Sequence, residues 1–317
     1  MTWVWRGRDD GSDPAAQRWH QVIRPWDASP LTRGRKRPIV VIGYPTDAGV
    51  RANLGRTGSA DGPAALRTAC ANLPVPTSHA LFDAGDVIGT GDDVESWQSS
   101  LAAAVAAVRA GGGTPLVLGG GHDQAFGHWL GTVRAASDGA VVGCINFDAH
   151  IDMRSLPGGR ANSGTPYSQV HAWSVAHGRP FKYLVLGMQP PHNTPALIHV
   201  ACGAGAQLVD ADAFHPGQEA SLLQLIDRFV ASVDLVCLSI DLDVFSAAAS
   251  PGVSAPSPMG IAPDATFRTV VRRIAASGKI AGIEIAECAP SLDIGGRTAR
   301  LGAAVIDTIV RSFAVAS

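Results

Sequence analysis

Short apolar runs rich in β-branched residues recur along the chain from Pro38 onwards. They are continuous rather than alternating, which is typical of strands that are covered on both faces. We therefore predict buried strands in the segments PIVVIGYP (38–45), TPLVLGGG (114–121), AVVGCINFD (140–148), FKYLVLGM (181–188), AQLVD (206–210), VDLVCLSIDLD (233–243) and KIAGIEIAE (279–287).

Stretches with helical start and stop signals lie between these runs. Proline opens two of them and glycine closes the long Ala-rich one, as is usual at helix ends. The predicted helices are 62–73, 94–111, 218–232 and 263–277. This alternation predicts a three-layer α/β/α fold around a mostly parallel sheet. Ligands bind at the carboxyl ends of the strands in such sheets, so the polar residues that directly follow each run are candidates for function.

Residues 1–37 differ from the rest of the chain because they are polar and rich in arginine, aspartate and proline. They also contain four tryptophans, Trp3, Trp5, Trp19 and Trp26. This frequency of tryptophan disfavours a disordered tail, so we predict an N-terminal arm packed on the core. Residues 38–317 are predicted to form a single catalytic domain.

Composition and charge narrow the range of partners. The 317 residues carry a formal net charge of −2, and the basic residues are dispersed rather than clustered in a stripe. Nucleic acid is therefore not an expected partner. Neither a signal-peptide pattern nor an apolar run of about 18 residues occurs, so we expect a cytoplasmic protein without membrane contact. We further expect a homo-oligomer that acts on a small-molecule substrate.

Acidic residues and histidines gather at the ends of two predicted strands. In NFDAHID, Asp148, His150 and Asp152 occupy alternate positions, which would point all three side chains to one face of an extended chain. In SIDLD, Asp241 and Asp243 repeat this spacing. A single aspartate after a strand is often only a turn former or a helix cap. Four carboxylates at one sheet edge, however, would repel strongly unless cations neutralised them.

A third run, LGGGHD, places His122 directly after three glycines that would permit a sharp turn and close approach. The resulting set of two histidines and four aspartates can hold two metals if Asp148 and Asp241 bridge them. Oxygen-rich ligation with two imidazoles and no cysteine favours two Mn(II) ions, with Fe(II), Co(II) or Zn(II) as alternatives. Two ions about 3.5–4 Å apart can share a water and lower its pKa, so the pattern predicts a hydrolase.

The motifs GGGHD, NFDAHID, SIDLD and EIAE, in this order, are similar to those of the arginase, agmatinase and formimidoylglutamase family, the ureohydrolases. The resemblance covers about residues 38–315 and implies an arginase-like fold with about eight strands. It implies that one manganese is held by His122, Asp148, Asp152 and Asp241, and the other by Asp148, His150, Asp241 and Asp243. It also implies that Glu287 pairs with the amidinium or guanidinium group of the substrate.

The loop after the first metal motif resembles the formimidoylglutamase branch most closely. It reads SGTPYSQ, where arginases and agmatinases carry a proton-shuttling histidine near the position of Tyr167. Ser163, Thr165 and Tyr167 of this loop are candidate substrate contacts. The resemblance implies hydrolysis of N-formimidoyl-L-glutamate to L-glutamate and formamide by a metal-bridging hydroxide, as in histidine degradation, with Asp152 as the group that accepts and passes on the proton.

Such a substrate carries two carboxylates besides its amidinium head. Arginine suits carboxylates because its planar fork pairs with both oxygens. Arg154 is the first candidate, with Arg51 and Arg56 in the glycine-rich loop as further ones. Two alternatives remain at this point: another ureohydrolase that acts on a guanidino substrate (a guanidinobutyrase, an agmatinase or an arginase-like enzyme), or a non-catalytic metal-binding protein of the same fold.

Overall fold

Nine parallel strands form one sheet at the centre of the protein, in the order β1-β3-β2-β4-β9-β8-β5-β6-β7. The computed structural model describes residues 3–11, 13–32, 37–75 and 80–313. The strands are β1 (Arg24–Pro25), β2 (Ile39–Tyr44), β3 (Leu81–Asp86), β4 (Thr114–Gly119), β5 (Val142–Phe147), β6 (Tyr183–Met188), β7 (Gln207–Asp210), β8 (Leu235–Asp241) and β9 (Ile280–Ala286).

The helices form one layer on each face of the sheet. The helices are α1 (Trp19–Val22), α2 (Ala48–Ala52), α3 (Gly62–Ala71), α4 (Val94–Ala110), α5 (Gln124–Arg134), α6 (Pro166–Ala176), α7 (Pro195–Gly203), α8 (Glu219–Ala231), α9 (Ala265–Ala275) and α10 (Arg297–Ser312). Strand side chains on one face of the sheet pack with α3, α8, α9 and α10, and those on the other face pack with α4, α5 and α6. Among the described residues, no helix combines the length and apolar character needed to span a membrane.

The predicted three-layer α/β/α fold is confirmed, with a sheet that is parallel throughout. Every predicted strand forms, but the sheet has nine strands instead of about eight. Two were not foreseen: β3, whose residues are alternately buried and exposed, and the short β1. Their patterns lack the continuous apolar run of a strand covered on both faces.

The N-terminal arm reaches the sheet through β1, which pairs in parallel with β3. Trp19 is fully buried, and the indole N–H of Trp5 donates to Asp83 at 2.8 Å. The described part of the arm therefore covers the edge of the sheet on the β3 side.

Candidate metal centre

Four neighbouring strands in the middle of the sheet deliver the predicted metal ligands and the predicted substrate contact Glu287. His122 follows β4, Glu287 follows β9, Asp241 ends β8, and Asp148 follows β5. Because the strands are parallel, these carboxyl ends meet at one edge of the sheet. The side chains thus converge although they are up to 165 residues apart in the chain.

The first cluster surrounds the imidazole of His122. Its Nδ1 lies 3.1 Å from Asp148 Oδ2, 2.9 Å from Asp152 Oδ2 and 3.1 Å from Asp241 Oδ2. His122, Asp148 and Asp241 each offer a ligand atom within 4.8 Å of the others. Three carboxylates around one ring nitrogen form an arrangement that a divalent cation would stabilise.

The second cluster contains His150, Asp148 and Asp243. His150 Nδ1 lies 3.0 Å from Asp243 Oδ2 and 3.4 Å from Asp148 Oδ1. Asp148 thus presents one oxygen to each cluster, as a bridging carboxylate would. Asp241 groups only with the first cluster, and its Oδ1 accepts the backbone N–H of Asp243 at 2.8 Å.

The backbone reaches this arrangement by turning rather than by continuing as a strand. β5 ends at Phe147, and Asp152 has a φ of 50°, in the left-handed region. The prediction that Asp148, His150 and Asp152 point to one face of an extended strand is therefore wrong, although a turn brings their side chains together. The glycines after β4 allow the backbone to pass close to the loop after β2, since a Cβ at Gly120 would lie 1.9 Å from the carbonyl oxygen of Thr46.

Two polar residues that the sequence analysis missed hold the ligands in place. Ser239 Oγ lies 2.8 Å from His122 Nε2, and Asn146 Nδ2 donates to Asp148 Oδ2 at 3.0 Å. Each precedes a candidate ligand by two positions on its own strand, and this spacing was the signal available in the sequence. Such contacts fix the orientation of a ligand and tune its basicity.

The electrostatics fit a pair of divalent cations. Burial would lower the pKa of His122, but hydrogen bonds to Asp148, Asp152 and Asp241 raise it well above its usual value. Burial and the nearby charge of Asp148 raise the pKa of Asp152 to about 6. Among the described residues, no lysine or arginine forms an ion pair with these carboxylates. The histidines are themselves metal ligands when neutral, so buried carboxylates that no described lysine or arginine neutralises are what two divalent metals would compensate.

Glu287 stands beside the clusters without joining either. Its Oε1 accepts the backbone N–H of His122 at 2.9 Å, whereas its Oε2 is buried and has no hydrogen-bond partner among the described residues. Burial, followed by the charge of Asp241, raises the pKa of the carboxyl well above its usual value. Its φ of 63° is also left-handed, so the residue is held in a strained conformation.

A pocket of about 330 Å³, called the metal pocket below, opens over this centre. Its lining includes Glu287 and every candidate ligand except Asp148, together with Arg56, Arg154 and Ser163. Both arginines are exposed, and neither forms an ion pair with a described residue. Arg56 is nonetheless fixed, because its Nε and Nη2 donate to the carbonyls of Ser254 and Val253 at 2.8 and 2.7 Å.

Three of the predicted substrate contacts do not line this pocket. Arg51 forms ion pairs with Asp47 and Asp92. Thr165 is fully buried and bonds to a backbone carbonyl of its own loop. Tyr167 is also buried and stacks on Tyr183, with ring centroids 4.0 Å apart. Its ring meets His122 edge-on at 5.9 Å, so it packs behind a ligand.

The fold and the site together define a class: an α/β protein whose parallel sheet carries a carboxylate and imidazole cluster suited to two divalent metals. Sequence comparison refines this class. The model of the arginase family matches residues 37–311, so the chain belongs to the arginase family.

The chain is 41% identical to a formimidoylglutamase of Nocardia farcinica over 96% of its own length and 95% of that protein. It is 43% identical to a formimidoylglutamase of Chromobacterium violaceum, over 95% of its length and 94% of that protein. It is also similar to the crystal structure of Trypanosoma cruzi formiminoglutamase with Mn²⁺, with a TM-score of 0.77, 25% identity and coverage of 89% and 95% of the two chains.

Proposed function

We propose that the protein is a hydrolase that cleaves an amidine C–N bond of N-formimidoyl-L-glutamate, giving L-glutamate and formamide. The observation that carries the proposal is the charge layout of one pocket. Buried carboxylates lie at one end, and Arg56 and Arg154 lie at the exposed end without ion pairs to any described residue. A substrate with a cationic amidinium head and two carboxylates matches this layout. The similarity to formimidoylglutamases over nearly the whole chain supports the same substrate.

The proposal includes two Mn(II) ions, supported by the oxygen and imidazole donors and by the manganese in the similar T. cruzi structure. Fe(II), Co(II) and Zn(II) are alternatives. The first ion would be held by His122, Asp148, Asp152 and Asp241, and the second by Asp148, His150 and Asp243. When bound, such a pair supplies the activation of water for attack on the substrate.

Glu287 would orient the reacting group. Its Oε1 is occupied by the N–H of His122, which leaves Oε2 to accept an N–H of the amidinium. A cation paired with this oxygen would satisfy a buried acceptor that has no partner in the described chain. The same contact would hold the formimidoyl carbon next to the metal centre.

Asp152 would move the proton. The oxygen of the attacking water joins the formimidoyl carbon, and the bond from that carbon to the glutamate nitrogen breaks. The leaving nitrogen gains both protons of the water, so that the amidinium gives formamide and the ammonium form of glutamate. An Asp152 carboxylate oxygen can accept each proton in turn and pass it to that nitrogen. Tyr167, at the position of the histidine found in arginases, is buried behind His122 and does not line the pocket. Proton delivery is therefore assigned to Asp152.

The proposal is tested by product analysis with manganese-reconstituted protein. We expect formamide release from N-formimidoyl-L-glutamate and no urea release from arginine or agmatine. Agmatine carries two positive charges, which Arg154 and Arg56 would repel. Faster release of urea than of formamide would overturn the substrate assignment and favour a guanidino substrate.

The proposal also places the protein in the cytoplasm as a homo-oligomer. Light scattering of the purified protein tests the oligomeric state, and a mass equal to one chain of 32.7 kDa would contradict it. Fractionation of cells that express the full chain tests the location.

A further inference from the structure

Leu54 is a large apolar side chain that the fold holds in solvent. It is 95% exposed, and its φ of 61° lies in the left-handed region. That region is unfavourable for residues with a bulky side chain, so the conformation costs stability. Neither the exposed side chain nor the strained backbone of Leu54 stabilises the fold.

The segment on either side of Leu54 is anchored, so the strain is not the result of a loose loop. The side chain of Asn53 donates to Ser163 Oγ at 3.1 Å. The N–H of Gly55 donates to the carbonyl of Val50 at 2.9 Å. The fold therefore fixes Leu54 in position.

That position is the boundary between two cavities. Leu54 lines the metal pocket and also a neighbouring cavity of about 800 Å³. The two cavities share Asn53, Leu54 and Arg154. The second cavity continues past Leu197 and Val200, so it has an apolar wall.

We infer that Leu54 is a specificity-determining residue that packs on the aliphatic carbons of the substrate and separates the metal pocket from the second cavity. The inference rests on the proposed function, because N-formimidoyl-L-glutamate carries two methylene groups between its carboxylates. If Arg56 and Arg154 hold those carboxylates, the methylene groups lie next to Leu54. Covering an exposed leucine with methylene groups removes apolar surface from water, which favours binding.

The test compares Leu54→Gly and Leu54→Met with a control, Ala28→Gly. Ala28 also has a left-handed φ, of 66°, but it lines neither cavity. Leu54→Gly should raise KM for N-formimidoyl-L-glutamate about tenfold with little change in kcat, because the lost contact is equal in the ground and transition states. Leu54→Met should keep KM within about twofold, since the apolar volume is conserved.

Stability provides a second measurement that does not depend on activity. The melting temperature of metal-free Leu54→Gly should equal or exceed that of the wild type, since glycine tolerates the left-handed conformation. Ala28→Gly should behave in the same way in melting and should leave KM unchanged. A Leu54→Gly protein that melts several degrees lower and keeps its KM would overturn the inference, because Leu54 would then serve the fold.

A longer substrate tests the boundary itself. We would use N-formimidoyl-L-glutamate with alanine joined to its side-chain carboxylate. Leu54→Gly should narrow the preference for the short substrate over the long one by about tenfold, and an unchanged ratio would contradict a separating role.

Calorimetry with L-glutamate and the manganese-loaded protein separates this inference from the proposed function. If the wild type binds glutamate but releases no formamide, the proposed reaction fails, and the roughly tenfold weaker binding expected for Leu54→Gly still decides the role of Leu54. If the wild type binds neither L-glutamate nor N-formimidoyl-L-glutamate, both proposals are overturned.

Discussion

Two groups of carboxylates, each with buried members, lie on the same sheet and differ in how they are neutralised. The first is the Arg67 clamp, formed by Arg67 of α3 with Asp83 and Asp86 of β3. The fully buried guanidinium donates from Nε and Nη2 to the two oxygens of Asp83 at 3.0 and 3.1 Å, and from Nη1 to Asp86. The indole of Trp5 adds a further donor to Asp83.

The second group is the candidate metal centre, whose carboxylates have no such arginine among the described residues. Its four aspartates are buried, no described arginine or lysine pairs with them, and one oxygen of Glu287 has no partner. A carboxylate that pairs with an arginine of the chain stabilises the fold, whereas a buried carboxylate without such a pair is available to bind a ligand. Removing a charge from the clamp should therefore lower stability, and removing one from the pocket should lower activity.

The largest effect is expected for Asp148→Ala. Because Asp148 contacts both clusters, its loss should empty both metal sites and lower kcat/KM by at least about a thousandfold. Metal analysis and steady-state kinetics measure these effects.

Asp241→Ala is the comparison variant, because Asp241 groups only with the His122 cluster. It should keep more metal than Asp148→Ala. Complete loss of both ions from Asp241→Ala would instead support a bridging role for both aspartates, as the family resemblance implies.

Arg67→Met should have the largest effect on stability. It leaves two carboxylates without their cation, Asp83 fully buried among them, and should lower the free energy of unfolding by about 3–5 kcal/mol. Denaturant unfolding of metal-free protein measures this change. The control is Arg273→Met, which breaks an exposed pair with Asp227 and should change the free energy of unfolding far less. Equal losses in the two variants would contradict the distinction drawn between the clamp and a surface pair.

Glu287→Gln should show the reverse pattern. Neutralising the partner of the amidinium should cost about 2–4 kcal/mol of transition-state stabilisation, or a loss of roughly 30-fold to 1000-fold in kcat/KM. Metal content should stay unchanged, and stability should not fall, since a buried charge without a basic partner is removed. Turnover close to that of the wild type would show that the unpartnered oxygen is not used by the substrate.

The smallest of these effects is expected for Arg154→Ala. The residue is exposed, so its pairing with a substrate carboxylate is weakened by solvent, and kcat/KM should fall by about tenfold to a hundredfold. Formamidine, which has no carboxylate, should be hydrolysed as well by the variant as by the wild type. If activity on both compounds fell equally, Arg154 would be supporting the metal centre instead.

The sequence alone was sufficient for the architecture and for predicting that the candidate metal ligands meet at one edge of the sheet. A strand covered on both faces needs a continuous apolar run, and parallel strands place their carboxyl ends together, so residues such as Asp148 and Asp241 could be assigned to one site before any coordinates. Both rules depend on local pattern and topology, which a single sequence contains.

Tertiary structure decided which nearby polar residues have partners. Arg51 in α2 and Arg56 in the loop that follows are close in the sequence, yet Arg51 pairs with Asp47 and Asp92 while Arg56 lines the metal pocket. Tyr167 follows the metal motif closely, yet packs behind His122. The contacts that separate these cases join residues distant in the chain, such as Arg56 with Ser254, 198 positions apart. Which side chains meet across that distance depends on loop paths and packing, and no local pattern in the sequence contains them.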